Sequence, residues 1–166
     1  TNVDVDAAER YLVTGSYDKT VRVWSLPEGR LLRVLRPPIG EGDEGKIYAV
    51  AISPDGETVA AGGWDQEDSI YLFNRATGEL RQRLTGHQNV IHHLAYSPDG
   101  RYLVASLGGQ NGIRVYRTSD YRLQAEDTDY DSRSVWAEFD AQGRLVTSCD
   151  DGYIRLYDNR FNLLTK

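Results

Sequence analysis

The sequence predicts an all-β fold assembled from four copies of one four-stranded antiparallel unit, and three observations predict it. Segments 12–24, 59–73, 104–116 and 145–157 align on one pattern, and their closing aromatic residues Trp24, Phe73, Tyr116 and Tyr157 fall 49, 43 and 41 residues apart. A turn signature keeps the same phase: Ser53-Pro54-Asp55-Gly56, Ser97-Pro98-Asp99-Gly100, the weaker Asp140-Ala141-Gln142-Gly143 and the eroded Asp6-Ala7-Ala8-Glu9. Proline presets φ for the first central position and glycine accepts a positive φ, so these are tight turns between strands. Finally, Val21-Arg22-Val23-Trp24 and Ile113-Arg114-Val115-Tyr116 alternate apolar and charged residues with the period of a half-covered strand, and helical periodicity is absent.

The units follow one another along the chain. The first, 1–36, opens on a strand over 2–5, continues through a second over 12–16 and closes its third at Trp24. The run Pro37-Pro38-Ile39-Gly40-Glu41-Gly42-Asp43-Glu44-Gly45 is inserted before the second unit, 46–85, and accounts for the long first interval. The third, 90–126, shows all four strands, over 91–96, 102–106, 112–116 and 121–124; in every unit these are termed a to d. The fourth, 133–166, ends with strand d over 161–164. Strand b carries small residues (Gly15, Ser16, Ala60, Ala61, Gly62, Gly63, Ala105, Ser106), as expected where neighbouring sheets approach around a central axis.

Composition excludes several classes of function. At 166 residues the chain is long enough to bury a substantial core, and its hydrophobic fraction of 40% comes in short runs, far from the ~20 apolar residues that span a bilayer. Lys+Arg number 19 against 25 Asp+Glu, a net charge of -6 without a basic block, so neither nucleic acid nor membrane is an expected partner. The single Cys149 permits no internal disulfide and no multi-cysteine metal site, and a cytoplasmic location is expected. The sequence starts at Thr1 without an initiator Met, in what reads as the middle of a strand, so a piece of a longer protein is expected.

Four-stranded antiparallel sheets at this repeat length are the blades of a β-propeller, and the motifs resemble the WD-repeat (WD40) family over essentially the whole chain. The resemblance is carried by Gly86-His87, the S-P-D-G turns, 16–24 and 149–158; the run 45–52 also resembles bacterial WD-repeat regions beside caspase-like peptidase domains. The family's structural tetrad joins a His before strand a, a Ser or Thr in strand b, an Asp in the b–c turn and a Trp in strand c. Here it is incomplete in every blade: Ser16, Asp18 and Trp24 in the first; Asp65 with Phe73 in the second; His87, Ser106 and Tyr116 in the third; Asp151 with Tyr157 in the fourth. A buried charge without partners is costly, so the isolated Asp residues are expected to accept backbone amides instead. The family ring has seven or eight blades. Four blades leave two apolar faces open, which fits either a fragment of a longer propeller or two copies closing an eight-bladed homodimer.

A search for catalytic chemistry yields no triad and implies no cofactor or metal. His92 and His93 are adjacent on a strand and point to opposite faces, Cys149 reads as a packed residue, and Asp127, Asp129 and Asp131 read as a solvated loop lacking the glycine and glutamate of a calcium loop. The run Gly108-Gly109-Gln110-Asn111-Gly112 opens no helix and reads as the b–c turn of its blade. Binding is the better reading. The resemblance implies a docking face at the d–a and b–c loops, with Tyr48, His92 and Val135 following the first apolar residue of strand a and Tyr17, Trp64 and Asp150 preceding the b–c turn Asp. Aromatic groups there either form a contact surface or pack on adjacent loops, and Arg133 is available to an acidic partner group. The expected function is a non-enzymatic scaffold that binds a protein or peptide; the alternative is a self-assembling structural fragment.

Overall fold

The computed structural model describes residues 2–38 and 40–166, so Thr1 and the inserted Ile39 lie outside the described residues. Sixteen strands form four antiparallel sheets in chain order, without a helix among the described residues. The first blade comprises β1 (Asn2–Val5), β2 (Tyr11–Gly15), β3 (Val21–Ser25) and β4 (Leu31–Leu35). The second has β5 (Lys46–Ile52), β6 (Thr58–Trp64), β7 (Ile70–Asn74) and β8 (Leu80–Leu84). The third has β9 (Ile91–Tyr96), β10 (Tyr102–Leu107), β11 (Ile113–Arg117) and β12 (Arg122–Asp127), and the fourth β13 (Ser134–Phe139), β14 (Leu145–Cys149), β15 (Ile154–Tyr157) and β16 (Leu163–Thr165). The innermost strands touch in the order β1, β5, β9, β13, which makes an open arc of blades.

The core lies between blades. Val13, Val21 and Val23 meet Val50, Ile52 and Val59; Ile70 and Leu72 meet Ile91, Leu94 and Leu103; Val104 and Val115 meet Ala137, Phe139 and Leu145. The small residues of strand b make this contact close: a Cβ on Gly15 would lie 2.6 Å from the Ile47 side chain, and one on Gly62 would lie 2.8 Å from that of Ile91. At the two ends of the arc the equivalent faces are uncovered, with Val3 58% and Ile154 65% exposed. The turns behave as their chemistry requires. Gly56, Gly100 and Gly143 take positive φ, and the Ser53 and Ser97 hydroxyls donate to Asp55 and Asp99 while accepting the amides of Thr58 and Tyr102.

The polar anchors differ from the expected tetrads because side chains alternate along a strand. Trp24 Nε1 donates to Thr14 Oγ1 at 3.1 Å, not to Ser16, which lies beyond the paired strand and instead accepts the Asp18 amide. In the third blade His87 Nε2 meets the Tyr116 hydroxyl at 2.7 Å, but Ser106 stands one residue off the face that pairs Leu103 with Tyr116 and is buried without a hydrogen bond. In the fourth, Tyr130 takes the histidine's part: its hydroxyl reaches Thr147 Oγ1 at 2.7 Å and the Tyr157 hydroxyl at 3.0 Å, and Tyr157 donates to Asp127 at 2.7 Å. The 127–131 run is therefore only partly a solvated loop, since Asp127 anchors the core while Asp129 pairs with Lys166 at the surface.

The turn carboxylates do accept backbone amides, those of Thr20, Ser69 and Tyr153, and each also holds the second residue of strand c. Asp18 pairs with Arg22 at 2.6 Å, Asp65 accepts from the Tyr71 hydroxyl at 2.6 Å, and Asp151 pairs with Arg155 at 2.8 Å. The Asp18 pair lies in solvent, whereas the Asp151 and Arg155 side chains are 3% and 1% exposed. Arg155 is held further by the Asp129 carbonyl at 2.6 Å and by the Tyr130 ring, 3.9 Å from its guanidinium carbon.

Breaking a buried ion pair strands the remaining charge, at a cost of about 3–5 kcal/mol, while an exposed pair contributes less than about 1 kcal/mol. Asp151→Asn is thus expected to lower stability by about 3–5 kcal/mol and Asp18→Asn by less than about 1 kcal/mol, as read by urea unfolding; equal losses contradict the assignment. Buried histidines add a pH dependence. Burial holds His87 down to about 4, with Arg114 adding to it, and holds His93 to about 4 against the opposing bond of the Ala137 backbone. Unfolded imidazoles titrate near 6.5, so the unfolded chain binds more protons below that pH and this stabilisation, complete above about pH 6.5, is lost as pH falls toward 4. Burial lowers His92 in the same sense; at the acid end the carboxyls of Asp4, Asp68 and Glu138, raised by burial, oppose the loss, while those of Asp151 and Asp120, held low by Arg155 and Arg117, add to it. The expected fall is about 2–4 kcal/mol between pH 7 and pH 4.5, and the His87→Asn, His93→Gln variant flattens it.

Candidate functional site

One backbone device recurs in the innermost strands. In β5, Ile47 pairs with Gly63 and Ala49 with Gly62, which leaves Tyr48 as an extra residue without a cross-strand partner. In β9, Ile91 pairs with Leu107 and His93 with Ser106, leaving His92; in β13, Ser134 pairs with Cys149 and Trp136 with Ser148, leaving Val135. A residue bulged from the ladder is re-aimed away from the alternation of its neighbours. The equivalent position of the first blade is Thr1, outside the described residues.

Two of these residues meet side chains from the ends of strand b. Tyr17 and Trp64 precede the b–c turns and are 55% and 49% exposed. Tyr17, Tyr48, Trp64, His92 and Arg133 line one cavity of about 470 Å3, together with Asn89 and Val90. Tyr17 meets Tyr48 edge to face at 5.1 Å, and Tyr48 lies nearly parallel to His92 at 6.4 Å, so one row of rings crosses three blades. Val135 stays outside this cavity, whose wall on that side is Arg133. The two short loops that turn out of strands b and the one-residue bulges of strands a thus converge on one face.

The electrostatics of the cavity are nearly balanced. Lys46 lies 5.5 Å from the centre of the Tyr17 ring and pairs with Asp43 at 2.5 Å. Arg133 is taken by Asp150 in a short ion pair, and the Asp150 amide donates to the Arg133 carbonyl at 3.2 Å, so its guanidinium is already engaged rather than waiting for an acidic group. Burial lowers the His92 pKa, with Arg133 adding and Asp150 opposing, and burial followed by Tyr17 raises that of Tyr48. At neutral pH the imidazole and phenol are therefore both uncharged. Such a surface offers ring faces and neutral hydrogen-bonding groups, and among the described residues no three His, Cys, Asp or Glu side chains gather as a metal site. Asn89 and Val90 were not evident as site residues in the sequence: they follow the Gly86-His87 pair in a loop, so no spacing marks them.

Comparison with known proteins fits this architecture. The family described as WD domain, G-beta repeat matches residues 1–25, 29–71, 78–117 and 128–158. The chain is 31% identical over 156 residues to Coronin-7 of Mus musculus, covering 90% of the chain and 16% of that protein. It is 26% identical over 153 residues to the Periodic tryptophan protein 2 homolog of Dictyostelium discoideum, covering 92% of the chain and 16% of the relative. Against the small ribosomal subunit protein RACK1y of Oryza sativa subsp. japonica it is 36% identical over 105 residues, 63% of the chain and 28% of that protein. The chain thus spans only a fraction of these relatives' lengths. They are eukaryotic, and lend no support to the resemblance to bacterial regions beside caspase-like peptidases. The crystal structure of the RRP9 WD40 repeats superposes with a TM-score of 0.83 at 18% identity, covering 98% of this chain and 49% of that one, which shows the fold. Four blades, the S-P-D-G turns and a family match over most of the sequence place the chain in the WD-repeat family.

Proposed function

We propose that this chain is a non-enzymatic scaffold that binds a protein or peptide across the cavity lined by Tyr17, Tyr48, Trp64, His92 and Arg133. The carrying observation is the row of rings that three separate blades bring to one open depression. Tyr and Trp supply large contact areas with few rotatable bonds, the composition of binding hot spots. The name of the rice relative, a small ribosomal subunit protein, is that of a component of an assembly, in keeping with the same reading. Val135 belongs to the margin of this surface, since it is exposed in its bulge but does not line the cavity.

A second reading is self-association through the ends of the arc. The observation behind it is that Val3 and Val5 at one end, and Val146 and Ile154 at the other, hold positions that are buried between the inner blades yet stand exposed here.

Two measurements check these readings. Tyr48→Ala combined with Trp64→Ala is expected to reduce capture of the partner protein from cell extract at least tenfold, with an unchanged far-UV spectrum; undiminished capture contradicts the site. Light scattering of the purified chain reports 18.7 kDa for a monomer, and a stable species of twice that mass supports the second reading, whereas a monomer at all concentrations rejects it.

A further inference from the structure

The ring-lined cavity continues into a second depression of about 260 Å3 that shares Trp64, Asn89 and Val90 with it. The second lobe differs in chemistry: its wall carries the carboxylates of Asp65 and Asp68 and the amides of Gln66 and Gln88. Among the described residues neither carboxylate has a cation in ion-pair contact. Arg83 pairs with Glu67 at 3.1 Å and donates to Ser69 at 2.8 Å, and Arg114 pairs with Glu126 at 3.5 Å. The Asp65 oxygens accept the Glu67 and Ser69 amides and the Tyr71 hydroxyl, which fixes the carboxylate in place. The Asp68 carboxyl accepts no hydrogen bond among the described residues, and burial followed by the repulsion of Asp65 raises its pKa. The one cation lining the first lobe, Arg133, pairs with Asp150, and Lys46, beside the Tyr17 ring outside that lobe, pairs with Asp43. The unbalanced charge along the groove is therefore negative, and it lies beside the exposed indole of Trp64.

We propose that the partner is a basic peptide segment, seated with an Arg or Lys side chain against Trp64 and the Asp65 and Asp68 carboxylates and an adjacent apolar or aromatic side chain in the Tyr17, Tyr48 and His92 lobe. This rests on the reading of the ring-lined cavity as a docking face and adds the chemistry of what docks. Complementary charge and a cation over an indole face act together at such a site. An acidic segment is disfavoured there, because it would bring a third carboxylate to two that lack counter-ions.

The test is an amide-resolved NMR titration of the whole chain with three blocked peptides, Gly-Arg-Tyr-Arg-Gly and its twins with Gln or Glu in place of both Arg. The Arg peptide is expected to shift Trp64, Asp68 and Gln88 together with Tyr48 and His92, and to bind at least fivefold more tightly than the Glu twin at low salt. Asp68→Asn, which tolerates the positive φ of 47° at that position, is expected to weaken the Arg peptide about two- to fivefold and to leave the Gln twin unchanged. Equal binding of all three peptides, with shifts confined to the ring lobe, overturns the charge inference and leaves the docking face standing. Shifts in neither lobe with any peptide overturn both.

Discussion

The ring-lined face depends on one constraint, a single extra residue in the innermost strand of successive blades. Strict alternation would send every second side chain of strand a into the packed space between blades, where the contacts are close enough that Gly15 and Gly62 leave no room for a Cβ. The bulge frees Tyr48 and His92 from that alternation and turns them onto the rim where Trp64 ends its strand and Tyr17 opens its b–c turn. Because the bulge lies at the same point of the second, third and fourth blades, rings far apart in sequence come into register across the arc. The rigid repeat supplies the positions and the loops supply the chemistry, a division common to folds whose function lies on connecting segments.

The blades reach this common geometry through different polar anchors. A Trp–Thr bond serves the first, a Tyr–Asp bond the second, a Tyr–His bond the third, and a network of Tyr130, Tyr157, Asp127, Thr147 and the buried Asp151–Arg155 pair the fourth. In the first, second and fourth blades a b–c turn carboxylate also holds the second residue of strand c, whereas the third blade has Gln110-Asn111-Gly112 at that turn and is anchored by His87, which precedes strand a. The exposed Asp18–Arg22 pair stands at one uncovered end of the arc, and the buried Asp151–Arg155 pair faces inward toward the third blade. One motif therefore carries different weight according to which face of its blade is covered.

Much of this was legible in the sequence. The spacing of Trp24, Phe73, Tyr116 and Tyr157 and the phase of the S-P-D-G turns define sixteen strands, since turn chemistry and period-two alternation are local properties. The resemblance to the WD-repeat family placed Tyr17, Tyr48, Trp64 and His92 on one rim. Ser16 and Ser106 were misplaced as hydrogen-bond partners because a shift of one residue moves a side chain to the opposite face, and only the pairing of Leu12 with Trp24 and Leu103 with Tyr116 reveals the register. Arg155 and Tyr130 could not be recognised as a stacked pair, being 25 positions apart in segments with no common motif. The engagement of Arg133 by Asp150 was hidden for the same reason, as it joins a loop to the end of a strand.

The central claim is that the bulges of the second and third blades carry Tyr48 and His92 into one row with Tyr17 from the b–c turn of the first. The most direct measurement is a set of nuclear Overhauser contacts between aromatic side chains in the isotopically labelled chain. The account predicts contacts from the Tyr48 ring to both the Tyr17 ring and the His92 imidazole, whose centres lie 5.1 and 6.4 Å away, together with the absence of a cross-strand amide partner for Tyr48. A regular ladder through Tyr48, with its ring in contact with the strand of the neighbouring blade instead, would contradict it.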